Sequence, residues 1–217
     1  KIAPLLDEDA RVCWATKGFE LSTGQLPHQV AKDILGAKQP VAVLSGPTFA
    51  IEVGKRLPTL MTIAATTIEF AEELAVLLSS DNFRVYTSED ITGVEVGGAV
   101  KNVLAIGAGV SDGLGFGANT RIALINRGLV EMTRLGISLG ARSETFMGLS
   151  GMGDLVLTCT DDKSRNRRMG LLLATGNTIS VAQDEIGQVV EGIRAAKAVR
   201  KVAQDHRVIM PICDEIY

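Results

Sequence analysis

Apolar positions follow two regimes along this chain. Up to residue 90, short β-branched or aliphatic runs at Arg11–Ala15, Val41–Ser45, Leu60–Ala65 and Phe83–Thr87 are bounded by turn residues, the pattern of strands. Between the third and fourth runs, Ile68–Leu78 repeats apolar residues at helical spacing, with Glu69, Glu72 and Glu73 on the opposite face. That spacing predicts an amphipathic helix. Strands alternating with helical text predict an α/β sheet domain, and four strands suggest only part of a larger sheet. Beyond Asp90 the strand pattern stops. Val94–Val110, Thr120–Leu135, Ser143–Met147, Arg165–Ala174 and Val189–Gln204 read as helices between glycine-rich or aspartate-rich breaks. The expected organisation is therefore an α/β unit over residues 1–90 and an all-α unit over 91–217. Thr87–Asp90 reads as a polar turn, so the two units are expected to pack rather than to be tethered.

Composition narrows the class. Of 217 residues, 46% are hydrophobic and 22% charged, enough apolar surface to offset the entropy of ordering, which excludes disorder. The 22 basic and 25 acidic residues give a net charge of -3, too balanced for a protein built on nucleic-acid contacts. Cys13, Cys159 and Cys213 form no CxxC pair and no even framework, which points to a reducing, cytoplasmic compartment. His28 and His206 have no cysteine or carboxylate at ligand spacing, so no metal is expected. The apolar stretch Val94–Val110 is interrupted by Glu95 and Lys101, so no membrane span is expected. The chain begins at Lys1, and a helix-like pattern opening at Ile212 and Ile216 stops at Tyr217. It is expected to be an internal piece of a longer protein.

Several segments carry candidate chemistry. Lys101 lies in an apolar, glycine-rich helix, Gly97 to Leu104, with Asn102 beside it. It either snorkels its head to solvent or is an amine whose pKa burial lowers toward neutrality, suited to proton exchange. Asn102 could orient a hydroxyl, and Gly97 and Gly98 would admit a close backbone or ligand. In Asp161–Arg168, Ser164 is a good N-cap before an apolar helix, and Arg165 can clamp a phosphate bidentately; the bland reading is a solvated helix start. Arg168, further along, is expected to matter much less. Leu149–Leu155 places Asp154 among glycines, either exposing its carboxylate or merely opening a helix. Gly113–Gly117 has the wrong spacing for a dinucleotide loop and follows a helix, so it reads as a flexible connector. Ser45–Ala50 and Thr16–Gly18 each follow a strand directly, where open α/β sheets bind ligands. Lys17 and Thr48 are therefore expected to face one cleft.

Together the segments WATKG, LSGPTFAIEV, GVEVGGAVKNVLAIGAGVSDGLGFGANTRIALINRGLVEM, LSGMGDLVLTCT, SRNRRMG and VVEG resemble the bacterial type of NAD(P)-dependent glycerol-3-phosphate dehydrogenase, in the family's order across nearly the whole chain. The resemblance implies a partial Rossmann-like sheet followed by a helical domain of the 6-phosphogluconate-dehydrogenase-like kind. It implies interconversion of sn-glycerol 3-phosphate and dihydroxyacetone phosphate with NAD(P)H, supplying phospholipid synthesis. It also implies Lys101 as general acid/base, and Lys17, Gly46, Thr48, Asp154, Ser164, Arg165 and Asn166 around the substrate. Asn102 and Thr158 follow by a looser likeness to eukaryotic members. Lys17, Ala50, Arg165, Val189 and Glu191 are implied on the cofactor side. The sequence departs from the family in lacking its opening strand and GxGxxG loop and the end of its helical domain, so the 217 residues alone are expected to be inactive. Preference between NADH and NADPH stays open, and a homodimer is compatible with the helical half. Two alternatives stand beside this reading: a related two-domain dehydrogenase of a hydroxy acid, which would lack the SRNRR anchor, and a non-enzymatic helical dimerisation module.

Overall fold

The computed structural model describes residues 3–7 and 10–217. Its first half comprises strand β1 (Val12–Trp14), helix α1 (Pro27–Leu35), β2 (Val41–Ser45), α2 (Ala50–Gly54), β3 (Thr59–Ala65), α3 (Ile68–Leu78) and β4 (Phe83–Ser88). The four strands form one sheet in the order β1-β2-β3-β4. β1 and β2 are parallel, β2 and β3 antiparallel, and β3 and β4 parallel. The antiparallel step has a simple cause. A parallel return needs a crossover, usually a full helix, whereas α2 holds only 5 residues. Side chains alternate as the pleat requires: Ala42, Ile63 and Ala65 pack with Phe70 and Ala71 of α3, while Val43 and Ala64 face Ile91 and Val94.

The second half is helical: α4 (Ile91–Gly113), α5 (Gly117–Ser138), a short 3-10 turn (Ser143–Met147), a π-turn (Leu149–Gly153), α6 (Asp154–Thr160), α7 (Arg165–Ala174), α8 (Ile179–Ile186), α9 (Glu191–Asp205) and α10 (Pro211–Ile216). Sequence periodicity misses α1, α2 and α8, and it starts α9 two residues early. α2 has only five residues and α8 buries only Ala182 and Ile186, so they leave little apolar stripe to read; α1 does have an apolar face but buries none of its residues. Of the Gly113–Gly117 run, Gly113 ends α4 and Gly117 opens α5, and the three residues between them are the connector.

α4 is the axis of the fold. Every residue from Gly93 to Gly109 is buried, the mark of a helix apolar on all sides and enclosed by others. It is long and apolar enough to cross a membrane, but 94% of its most apolar window lies inside the protein. Val96, Val100, Val103 and Leu104 pack with Met132 and Leu135 of α5, Leu155 of α6 and Val199 of α9. Where α4 crosses α7, Gly170 lies directly on the backbone of Ile106, Val110 and Gly109, and a Cβ there would collide with main chain.

Polar residues fasten the sheet half to this axis. Glu95 accepts hydrogen bonds from Trp14 Nε1 (3.1 Å) and His28 N (3.1 Å), and pairs with His28 Nδ1 (2.6 Å). Burial holds the Glu95 carboxyl above its ordinary range, while His28 pulls it down. Of the expected polar turn at Thr87–Asp90, Thr87 and Ser88 end β4, Glu89 is exposed and Asp90 is a buried clasp. Asp90 caps α4 through Gly93 N (2.9 Å) and also accepts from Arg142 N (2.9 Å) and Thr145 Oγ1. The two halves therefore meet through fixed contacts, and that fixes the geometry of the cleft between them.

Candidate active site

β1 and β2 run in parallel, so the residues after both strands emerge on one side of the sheet. There Lys17 and Thr48 face α4, the α6–α7 connection and the start of α9 across a cleft of ≈ 610 Å³. Lys17 and Thr48 do share this cleft, as the strand ends predict.

At its floor lies a compact charged cluster. Lys101 is only 6% exposed, so its head does not snorkel to solvent. Its ammonium donates to Asp154 Oδ1 (2.5 Å) and Thr158 Oγ1 (3.1 Å). An ammonium has three donors, so one N–H is left over from these two bonds, and Lys101 lines the cleft. Asp154, 2% exposed, accepts a second ammonium from Lys17 at 3.1 Å. Its carboxylate is thus neither exposed nor a helix cap. α6 begins at Asp154 itself, with no side-chain cap, and Thr158 sits one turn later, donating to the Asp154 carbonyl. The Lys101 amine stands lowered from 10.5 to about 8: burial is the largest cause, the nearby Lys17 charge adds to it, and Asp154 opposes both. Gly97 faces the Ser150 carbonyl and Gly98 faces Lys17 and Ser45, so these glycines admit protein groups that complete the cluster. The neighbouring Cys159 thiol is pushed up to about 12 by burial, which makes it an inert core residue.

A second network builds the far wall. Asn102 Nδ2 donates to Glu191 Oε2 (3.2 Å), Asn166 Nδ2 donates to Asn102 Oδ1 (2.9 Å), and Gly192 N donates to Asn166 Oδ1 (2.8 Å). These amides stitch α4, α7 and α9 together and orient Glu191. Ser164 caps α7 by accepting from Arg167 N (3.2 Å). The three arginines of the SRNRR run then divide. Arg167 is buried and tied to Asp162, Asp112 and the Cys159 carbonyl, whereas Arg165 and Arg168 turn into the cleft.

Of the candidate residues, Lys17, Thr48, Ala50, Lys101, Asn102, Thr158, Ser164, Arg165, Asn166 and Glu191 line the cleft, and Asp154 lies directly behind it. Gly46 does not line it. With φ +149 and a Cβ position 3.3 Å from Met61 Cα, it shapes the turn whose carbonyl Thr48 Oγ1 bonds at 3.2 Å. Val189 is 63% exposed and stands outside the lining. Phe49, Ile51, Lys163, Arg168 and Gln188 also line the cleft and were not picked out from sequence. Lys163 and Arg168 belong to the charged run already singled out, but facing direction cannot be read from a run of charges.

Known proteins match this chain in sequence and in fold. The family described as NAD-dependent glycerol-3-phosphate dehydrogenase C-terminus matches residues 90–217, and its N-terminus counterpart matches residues 1–71. Glycerol-3-phosphate dehydrogenase (NAD(P)+) of Klebsiella pneumoniae subsp. pneumoniae is 60% identical over the whole chain, which spans 64% of that relative's length. The enzyme of the same name from Yersinia pestis (strain Pestoides F) is 57% identical, again with 64% of its length covered. Among solved structures, glycerol-3-phosphate dehydrogenase from Coxiella burnetii superposes with a TM-score of 0.96 at 46% identity, covering 99% of this chain and 66% of that one. The yeast enzyme, from Saccharomyces cerevisiae, gives 0.88 at 28% identity, covering 100% and 65%. A mixed sheet joined to a helical half is thus the fold of solved glycerol-3-phosphate dehydrogenases as well. This chain belongs to the NAD-dependent glycerol-3-phosphate dehydrogenase family.

Proposed function

We propose that the full-length protein is a dehydrogenase that interconverts sn-glycerol 3-phosphate and dihydroxyacetone phosphate with NAD(P)H, supplying glycerol 3-phosphate for phospholipid synthesis. The observation that carries this reading is the Lys101–Asp154–Lys17–Thr158 cluster at the floor of a cleft whose wall presents Arg165 beside a capped helix start.

Each part of that geometry has a task. Near pH 7 an amine with a pKa of about 8 is roughly nine-tenths protonated, yet it gives up its proton far more readily than an ordinary lysine. The remaining N–H of Lys101 polarises the substrate carbonyl and donates the proton as the C2 oxygen gains charge. In the oxidative direction the neutral amine takes the hydroxyl proton. Asp154 holds the amine in place and keeps it mostly charged; Lys17 keeps it acidic. Arg165 and the α7 start at Ser164 bind the substrate phosphate, fixing C2 beside Lys101. Thr48 and Ala50 at the sheet end, with Glu191 opposite, border the space for the cofactor. The donor set fits a nicotinamide dinucleotide, because the Arg165 guanidinium in the cleft has no carboxylate partner among the described residues. When bound, the reduced nicotinamide supplies the hydride. We place the protein in the cytoplasm, a reading supported by its three free thiols.

The test is a substrate panel on the purified full-length protein. NAD(P)H should be oxidised with dihydroxyacetone phosphate and hardly at all with dihydroxyacetone, because the phosphate contact positions the reacting carbon. Equal rates on both would remove the phosphate anchor. Activity on hydroxy acids instead would favour the related dehydrogenase class.

A further inference from the structure

We propose that Arg168 is a second phosphate-binding residue of the cleft, taking a phosphoryl group distinct from the one held at Arg165. The inference rests on the function proposed above and extends it to a residue outside its catalytic and anchoring set.

The argument is one of charge. The cations lining the cleft are Lys17, Lys101, Lys163, Arg165 and Arg168. Lys17 and Lys101 share Asp154, and Lys163 pairs with Asp161 and Glu52. Among the described residues neither Arg165 nor Arg168 has a carboxylate partner, and Arg168 Nε is buried with no hydrogen-bond partner at all. A guanidinium nitrogen cut off from water and left unbonded is costly, so the side chain gains by turning toward an acceptor oxygen bound in the cleft it lines. The carboxylate on the same wall, Glu191, is engaged by Asn102.

Helix geometry gives both arginines the same direction. Arg165 and Arg168 are three residues apart on α7, neighbours on one face, whereas Arg167 between them turns into the protein against Asp112. Two forked donors side by side match two phosphoryl groups better than one. The reaction brings two sources of such groups, the substrate phosphate and the dinucleotide phosphates.

The experiment compares full-length wild-type protein with Arg168→Gln and Arg168→Lys. Three quantities are measured: the KM for dihydroxyacetone phosphate, the Kd of NADH and NADPH by fluorescence without substrate, and the Kd of inorganic phosphate by calorimetry. Arg168→Gln should weaken phosphate binding, and should raise the dinucleotide Kd by about 10-fold or more, the scale of one lost charge-assisted bond. Arg168→Lys should recover part of the loss, with melting temperature within about 2 °C of wild type. A rise confined to the dinucleotide Kd assigns Arg168 to a cofactor phosphate; a rise confined to the KM would put it on the substrate phosphate that Arg165 already holds and would overturn the proposal of a distinct group. All three constants within 2-fold of wild type, roughly the scatter of such comparisons, would overturn the proposal. So would a parallel loss of affinity and melting temperature in both variants, which marks a structural role. Wild-type protein that ignores dihydroxyacetone phosphate would instead defeat the proposed function. Arg168 would then be judged by its dinucleotide and inorganic-phosphate constants alone.

Discussion

Replacing Lys101 by Met keeps the buried stem and deletes the amine, and the structure sets both consequences. The amine stands at about 8 against an ordinary 10.5. At 1.36 kcal/mol per pH unit, the fold disfavours the ammonium by about 3 kcal/mol relative to the neutral amine. The sign follows from proton counts. Between pH 8 and 10.5 the unfolded chain holds a proton on Lys101 that the folded protein has released, so wild-type stability rises with pH across that window. Below pH 8 both states are protonated and the penalty is present in full. Lys101→Met has no such proton. Its stability relative to wild type should therefore be greatest below pH 8 and should decline by about 3 kcal/mol toward pH 10.5. Asp154 is not stranded in the variant, because Lys17 stays 3.1 Å away; the lost bonds to Asp154 and Thr158 cost about 1–3 kcal/mol. Near pH 7 the variant should thus be about as stable as wild type, or slightly more so. The assay is urea unfolding of both full-length proteins at several pH values between 7 and 10.5, with turnover measured in parallel. Turnover should fall by roughly 100-fold or more, the scale of general acid–base catalysis. A wild-type-minus-variant difference that stays flat with pH would refute the account of a desolvated ammonium. Near-normal turnover would remove Lys101 from the reaction.

Two further outcomes test the α7 wall. Arg167→Met should lose about 3 kcal/mol of stability with little change in KM, because its guanidinium ties Asp112, Asp162 and the Cys159 carbonyl together; a raised KM without destabilisation would show that it faces the ligand. Gly170→Ala should lower the melting temperature by several degrees, corresponding to about 1–3 kcal/mol of overpacking, since the added methyl meets α4 main chain that cannot yield. An unchanged melt would mean that the helices separate freely.

Local pattern by itself determined a good deal. The four strands and the helix at Ile68–Leu78 were legible because alternation and helical spacing report which face is buried, and each run has one. The long helix around Lys101 was legible because its text is apolar on every side. Family likeness gathered residues from six segments that no spacing rule connects, and most of them line one cleft.

Tertiary structure decided the rest, for reasons that periodicity cannot carry. Lys101, Asp154 and Lys17 are separated by 53 and 137 positions, so whether the amine was snorkelling or paired depended on a fold that brings α6 and the end of β1 to α4. Asp90 read as a polar turn because its three bonding partners lie up to 55 residues away. Arg165, Arg167 and Arg168 look alike in sequence. Their different orientations around α7, one to the protein and two to the cleft, separate a structural ion pair from two guanidiniums available to a ligand.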